Sequence, residues 1–457
     1  MNGFSYAEHA LLTDLYELTM AQSYLHEGME GQATFSLFAR EFPKNRGYFI
    51  SAGLEEILEY LQELRFSSEA IDYLRSMELF SEQFLSYLQN FRFKGEVWAI
   101  PEGRIYFPNE PVLEVTASII EGQLAETILL NQVNLQSIVA TKAARCFTAA
   151  QGRNVVDFSL RRTQGTDAGM KVARCSYLAG FSATSNVLAG KWYGVPISGT
   201  MAHSFVTSFE HEIDAFRAYA RSFPDRTTLL IDTYDTVAGA HKAVVVAKEM
   251  ELQGYKLQAV RLDSGDLATL SRHVRSIFDS EGLGYVEVFV SGGLDEYQVE
   301  TLLADGAPVD GFGIGTQVGV SGDAPWLDTA YKLVKYDGRP VLKLSTGKVT
   351  LADEKQVFRY HDADGVFSED TIGLRGDVCP RGAEPLLSKV MEGGRILGSL
   401  PELTDIRQRF KKELSCLPNK YKMLRNPPAY PVTIADELQH LQKEAQRQRE
   451  QEEARLP

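Results

Sequence analysis

Apolar positions along this chain change their spacing twice. Up to about residue 90 the period is mainly helical. "LLTDLYELTMAQSYLHEG" returns an apolar residue every three or four positions, with Thr13 as the expected cap. "SSEAIDYLRS" and "SEQFLSYLQN" open on serines, as helix starts do. Strand-like pieces, "QATFSLFAR", "GEVWAIPEG" and "PVLEVTASI", lie between and after them. Residues 1–125 therefore read as a mixed α/β domain. From about 125, "LAETILLNQVNLQSIVATKAARCFTAA" is a long apolar-rich helix pattern. Six short β-rich runs follow, each ending in small or polar residues: "NVVDFSLRR", "VPISGTMAH", "TTLLIDTYD", "LQAVRLDSGD", "VEVFVSGGLD" and "VDGFGIGT". The later ones recur roughly every 25–30 residues, the length of one βα unit. Residues 126–330 are expected to form a parallel sheet, and a β/α barrel explains the number of units better than an open sheet. Beyond 330 the pattern turns to hairpins, with Asp337-Gly338 and Asp364-Gly365 as turn signals. Residues 331–433 read as a β-rich segment packing with the N-terminal domain. Residues 434–457 read as a charged helical or frayed tail.

The polar residues of the six runs fall at the carboxyl ends of the expected strands. Turns alone call for Gly, Ser and Asp at one such end. Arg, His and Asp together at six ends point to a barrel mouth, where strand ends and loops converge on one site. Composition narrows the chemistry. The 457 residues carry a net charge of −14, which argues against a nucleic-acid or anionic-membrane surface. No apolar run is long enough to span a bilayer. The first residues lack the charged and apolar regions of a signal peptide. The four cysteines have neither metal-ligand nor disulfide spacing, as expected of reduced thiols in a cytoplasmic protein.

Four stretches carry candidate chemistry. In "RLDSGDL", Arg261 and Asp263 share one face of a strand. Arg261 offers a planar fork for phosphate or carboxylate. Asp263 and Asp266 suit ribose hydroxyls or a magnesium ion carried on diphosphate, and Ser264-Gly265 leaves backbone N–H groups free at a turn. The plainer account is an internal Arg–Asp pair with a helix capped at Asp266. "VSGGLDEYQVE" and "GFGIGTQVG" are glycine-rich exits from the last two strands, where barrels often bind phosphate. In "DFSLRRTQG", Phe158 beside Arg161 and Arg162 suits a flat anionic ring. His203, one of eight histidines, stands alone in "GTMAHSFV". No His or Cys lies at ligand spacing from it, and no Gly-x-Ser-x-Gly elbow occurs. A general base and an acceptor of a phosphoryl group both remain open.

"LLTDLYELTMAQSY", "DFSLRRTQGTDAG", "GFSATSNVLAG", "GTMAHSFV", "LIDTYD", "RLDSGDL" and "GIGTQV" together resemble nicotinate phosphoribosyltransferases, in order from about Leu11 to about Pro380. The resemblance implies a type II phosphoribosyltransferase fold, an irregular β/α barrel with a mixed α/β domain built from both chain ends. It implies transfer of phosphoribosyl from 5-phosphoribosyl 1-diphosphate to nicotinate in NAD biosynthesis, giving nicotinate mononucleotide and diphosphate. It further implies ATP as co-substrate, magnesium carried with the phosphorylated substrates, and a cytoplasmic homodimer with shared active sites. The family's phosphorylated histidine falls on His203. Tyr16 resembles the tyrosine that stacks on the base from the partner subunit, and Phe158 would cover the other face. Arg161 and Thr200 would lie by the base or phosphate. Arg261, Asp263, Ser264 and Gly265 resemble residues that engage the phosphoribosyl substrate. Gly292, Gly293, Gly315 and Thr316 resemble its phosphate loops. Ser185 falls where the nicotinamide-using relatives carry an aspartate, and a neutral residue there suits a carboxylate substrate. The competing readings are a nicotinamide phosphoribosyltransferase and a sugar-phosphate-binding barrel lyase. The lyase lacks its usual Schiff-base lysine at the six strand exits. "LAD" at 351–353 departs from the family, which usually shows a Pro-Gly turn there.

Overall fold

Ser67 and Ser81 start two short helices, as the sequence predicts. Their hydroxyls accept hydrogen bonds from the N–H groups of Ala70 and Phe84, donors that a helix leaves free at its first turn. The computed structural model describes residues 9–343 and 350–454. The helix α1 (Leu15–His26) differs from expectation at its start. Asp14 holds the cap position, and the Thr13 hydroxyl instead donates to the Glu17 carboxylate. The long pattern after 125 is one helix, α2 (Glu126–Ala149). Among the described residues no helix is long and apolar enough to cross a membrane.

The chain forms two compact units, Met1–Ile138 with Trp326–Pro457, and Val139–Pro325. The first is built around a seven-stranded antiparallel sheet that draws on both chain ends. Its strand Gln32–Ala39 pairs with Leu113–Ser118 on one side and Thr329–Tyr336 on the other. Every residue of it after Gln32 is buried, so both faces are covered. A four-stranded sheet contains Lys355–His361 and Phe367–Leu374. Both expected hairpins form. Asp337 and Gly338 take positive φ, 47° and 72°, as the two-residue turn between antiparallel strands requires. The rest of that stretch, residues 344–349, lies outside the described residues. Asp353, the last residue of "LAD", adopts a positive φ of 65°. The tail is helical over Asp436–Glu453, and Gln442 ties it to the backbone of Thr350 and Ala352.

The second unit holds a six-stranded parallel sheet. Its strands are β1 (Asn154–Asp157), β2 (Ala183–Thr184), β3 (Thr228–Leu230), β4 (Ala259–Leu262), β5 (Glu287–Val290) and β6 (Gly311–Ile314). They are ordered β2-β1-β6-β5-β4-β3. This is the cyclic order of a barrel cut once, between β2 and β3. Of the irregular β/α barrel expected from the sequence, the described residues form a curled parallel half-barrel, open between β2 and β3. "VPISGTMAH" explains the gap. It was expected to be a strand, yet only Ile197 makes a single bridge, to Thr184. The chain then turns through Ser198-Gly199-Thr200 into the short helix α3 (His203–Thr207). β1, β3, β4, β5 and β6 lie where the other five runs predict them. Gly313 in β6 is required by packing, because a Cβ there would stand 2.5 Å from the Phe158 ring.

Candidate active site

Arg261 sits on β4, half-buried, and its Nη1 donates to Thr200 Oγ1 at 2.6 Å. Its guanidinium lies 5.9 Å from the centre of the Phe158 ring. Its Nε is buried with no hydrogen-bond partner. Burial holds the guanidinium below its usual pKa. The charges of Asp263 and Asp232 oppose that shift, and the like charge of Arg161 adds to it. An arginine in this condition is a strong site for an anion, since an anionic partner would satisfy the free donor and offset the desolvation.

Asp263, just past the end of β4, joins three strand exits. Its Oδ1 accepts from Ser291 Oγ at 2.5 Å, after β5. Its backbone N–H donates to Asp232 Oδ2 at 2.9 Å, after β3, and Ser264 Oγ donates to the same oxygen at 2.6 Å. Its Oδ2 lies 4.0 Å from His203 Nε2. The other ring nitrogen, Nδ1, is 3.1 Å from Thr233 Oγ1. His203 is thus oriented from β3 by one hydroxyl, and its second nitrogen is directed to the Asp263 carboxylate. The side chains of His203 and Asp263 are 43% and 35% exposed, so a ligand can reach both.

Two glycine exits flank this group. Gly292 has φ +98°, and a Cβ there would stand 1.8 Å from the Asp263 carbonyl oxygen. Only glycine permits the β5 exit to pass so close to the β4 exit. The exit leads through Gly293 to α5 (Glu296–Ala304), whose start is closed by a capping box between Asp295 and Gln298. Gly315 precedes the four-residue helix α6 (Thr316–Gly319). A cavity of about 550 Å³ opens beside Gly265, Gly292 and Gly293, with Tyr297 and Gln298 also in its wall.

The contacts bring together Phe158, Thr200, His203, Arg261, Asp263, Ser264 and Gly292 of the expected residues. Ser185 follows β2, and its N–H donates to the Asp157 carbonyl at 2.8 Å. Arg161 is exposed on the turn Leu160–Arg162, near enough for its charge to act on Arg261. Gly265 and Thr316 are exposed at their strand exits. Tyr16 belongs to the other unit, on α1, and is 45% exposed. The plainer reading of "RLDSGDL" holds in one respect: Asp266 does cap a helix, α4 being Leu267–Ser280.

Sequence reasoning passed over three residues, Asp232, Thr233 and Ser291. Each is a short polar side chain within three positions of a strand end, and only their contacts give them a part. Among the described residues no cluster of three or more His, Cys, Asp or Glu could cage a metal ion. Magnesium that arrives on diphosphate needs only one or two protein carboxylates. Asp232, whose buried Oδ1 has no partner, and Asp263 supply hard oxygens of that kind.

Comparison with known proteins bears on this arrangement. The chain is 49% identical over 431 residues to nicotinate phosphoribosyltransferase pncB2 of Mycobacterium tuberculosis, covering 94% of this chain and 92% of that one. The chain belongs to the nicotinate phosphoribosyltransferase family. Residues 11–134 match the N-terminal domain of nicotinate phosphoribosyltransferase (NAPRTase), residues 153–355 the NAPRTase family and residues 375–442 the C-terminal domain. The Bacillus subtilis nicotinate phosphoribosyltransferase is 36% identical, with 95% of this chain and 94% of that one covered. In the family, the crystal structure of human nicotinic acid phosphoribosyltransferase superimposes with a TM-score of 0.86. It shares 31% identity across 94% of this chain and 99% of that one.

Proposed function

We propose that this chain transfers the phosphoribosyl group of 5-phosphoribosyl 1-diphosphate to nicotinate, forming nicotinate mononucleotide and diphosphate in NAD biosynthesis. The observation that carries the reading is the meeting of Arg261 and Asp263, at the end of β4, with His203 at the start of α3, beside glycines that allow close approach of an anion. In the reaction the pyridine nitrogen forms a bond to the anomeric carbon as that carbon's bond to diphosphate breaks. Positive charge grows on the sugar and negative charge on the leaving group. Arg261, with its free buried Nε, suits the leaving diphosphate, and magnesium carried on that group would further neutralise it. Asp263 suits the ribose hydroxyls or the cationic sugar. The N–H groups around Ser264-Gly265, Gly292-Gly293 and Gly315-Thr316 suit the phosphates. Phe158 offers a face for the pyridine ring, with Arg161 and Thr200 close by and Tyr16 of a partner subunit opposite. Ser185 brings no negative charge to repel the carboxylate.

None of these steps needs a histidine nucleophile. His203 instead takes a phosphoryl group from ATP: a ring nitrogen forms a bond to the γ-phosphorus, the bond to ADP breaks, and hydrolysis later restores the imidazole. A phosphorylated His203 that binds substrates more tightly would draw a near-balanced equilibrium forward. The homodimer follows from the role given to Tyr16.

Two measurements test this. With 5-phosphoribosyl 1-diphosphate, turnover of nicotinate should exceed that of nicotinamide by at least about tenfold, and preference for the amide would overturn the assignment. With γ-labelled ATP, the wild type should acquire an acid-labile, base-stable label that His203→Ala lacks. Label retained in that variant would remove His203 from this role.

A further inference from the structure

Behind the glycine exits lies a buried charge cluster that the proposed chemistry does not use. Lys142, on α2, is fully buried and bonds two carboxylates. Its Nζ is 2.5 Å from Glu296 Oε2 and 2.7 Å from Asp323 Oδ1. Glu296 is the first residue of α5, three positions after Gly293. Asp323 lies four positions after α6, in a turn where the Gly322 N–H bonds back to the Gln317 carbonyl. One ammonium therefore ties the start of α5, which follows one glycine exit, to the turn that closes α6, which follows the other. Arg145, one helical turn further along α2, holds the other oxygen of Glu296 with Nε at 2.8 Å. Its Nη2 donates to the Tyr297 hydroxyl at 3.0 Å, on the wall of the cavity.

We infer that Lys142 is a positioning residue that sets the separation of the Gly292-Gly293 and Gly315-Thr316 exits, and so their fit to the phosphate groups of the substrate. The inference rests on the functional reading above. Glycine exits are conformationally soft, with little of their own to fix the spacing of their N–H groups. Cradles of N–H groups lose their effect when displaced by a fraction of an ångström. A buried ion pair adds little net stability over an apolar filling of the same shape, but it is directional. Lys142 links the segments that follow the two exits with short bonds from a long helix. Burial alone would discharge Lys142. Glu296 above all outweighs it and keeps the ammonium charged.

The test compares the full-length wild type with Lys142→Met and Asp323→Asn. In Lys142→Met, Arg145 still neutralises Glu296, and the Asp323 side chain, already 31% exposed, can take up water. KM for 5-phosphoribosyl 1-diphosphate should rise about tenfold, with kcat and KM for nicotinate within about twofold. The Kd for inorganic diphosphate, read by calorimetry, should weaken by a similar factor. Asp323→Asn, which cuts one arm only, should move the same two quantities about threefold. A folded Lys142→Met with unchanged diphosphate Kd and KM, or with every kinetic constant depressed alike, overturns the inference. If Lys142→Met does not fold, Asp323→Asn decides by the same criteria. A wild type that binds diphosphate but forms no mononucleotide would defeat the functional reading, and the diphosphate arm would still judge Lys142.

Discussion

Arg359 and Arg261, one in each unit, both lie among carboxylates and aromatic rings, and their donors are met in opposite ways. In the unit formed by the chain ends, Arg359 is fully enclosed. Nε and Nη2 bond Asp370, Nη1 bonds Glu413 at 3.1 Å, and the Phe367 ring lies 4.3 Å away. Burial would lower its pKa, but Asp370 first and then its other acidic neighbours more than compensate and raise it. In the other unit Arg261 bonds a neutral hydroxyl, keeps a buried Nε without a partner, and is left with a lowered pKa. The same residue type is closed in one place and open in the other. Arg261 thus keeps a donor that an anion could fill, and Arg359 has its carboxylates already in place.

Exchanging each arginine for methionine should separate the two cases most widely. Arg261→Met should lower kcat/KM about 100-fold or more, the cost of a lost donor to developing charge, with the melting temperature within about 2 °C of wild type. Arg359→Met leaves the buried Asp370 carboxylate without its cation and should cost about 3–5 kcal/mol, seen as a melting point lower by on the order of 10 °C. Comparable stability losses in both variants would erase the distinction.

A smaller effect probes the open side. Gly292→Ala would place a methyl group 1.8 Å from the Asp263 carbonyl oxygen, so the β4 exit must move. Its kcat/KM should fall about tenfold or more. Gly293→Ala, with nothing within 4 Å of the new atom, should lose no more than about threefold. Equal losses in the two would mean that strain at positive φ matters and the contact with Asp263 does not.

The smallest effect belongs to the closed side. Glu17 is buried on α1 and accepts from Thr127 and Thr13. Burial raises its carboxyl pKa to about 7, against the pull of those donors. A carboxyl raised above its unfolded value holds its proton better when folded. Its effect is therefore a loss of stability as pH rises from about 4.5 to about 7, complete above that. Relative to wild type, Glu17→Gln should gain on the order of 2–4 °C in melting temperature between pH 5 and pH 8. A pH-independent difference between the two would refute this.

Much of the site was legible in the sequence. Strand-length apolar runs placed Arg261 and Asp263 together at one exit, and glycines marked the next two. The hairpins of the C-terminal segment followed from two Asp-Gly pairs. Other features were hidden for physical reasons. "VPISGTMAH" has strand composition but makes only a single bridge, to Thr184, so the arc stays open. Asp232, Thr233 and Ser291 are ordinary turn residues until distant strands bring them to His203 and Asp263. Lys142 lies in an apolar helix pattern where a lone lysine reads as the solvent face. Its carboxylate partners are more than 150 positions further along the chain.

The strand Gln32–Ala39 also constrains how the protein is made. Its second neighbour, Thr329–Tyr336, leaves the ribosome some 290 residues later. At roughly 5–20 residues per second, an apolar strand edge waits on the order of tens of seconds for its partner. Meanwhile the whole of Val139–Pro325 is synthesised. The unit that carries the proposed chemistry has its full sequence before the one formed by the chain ends. During that interval the nascent chain is most exposed to edge-to-edge aggregation.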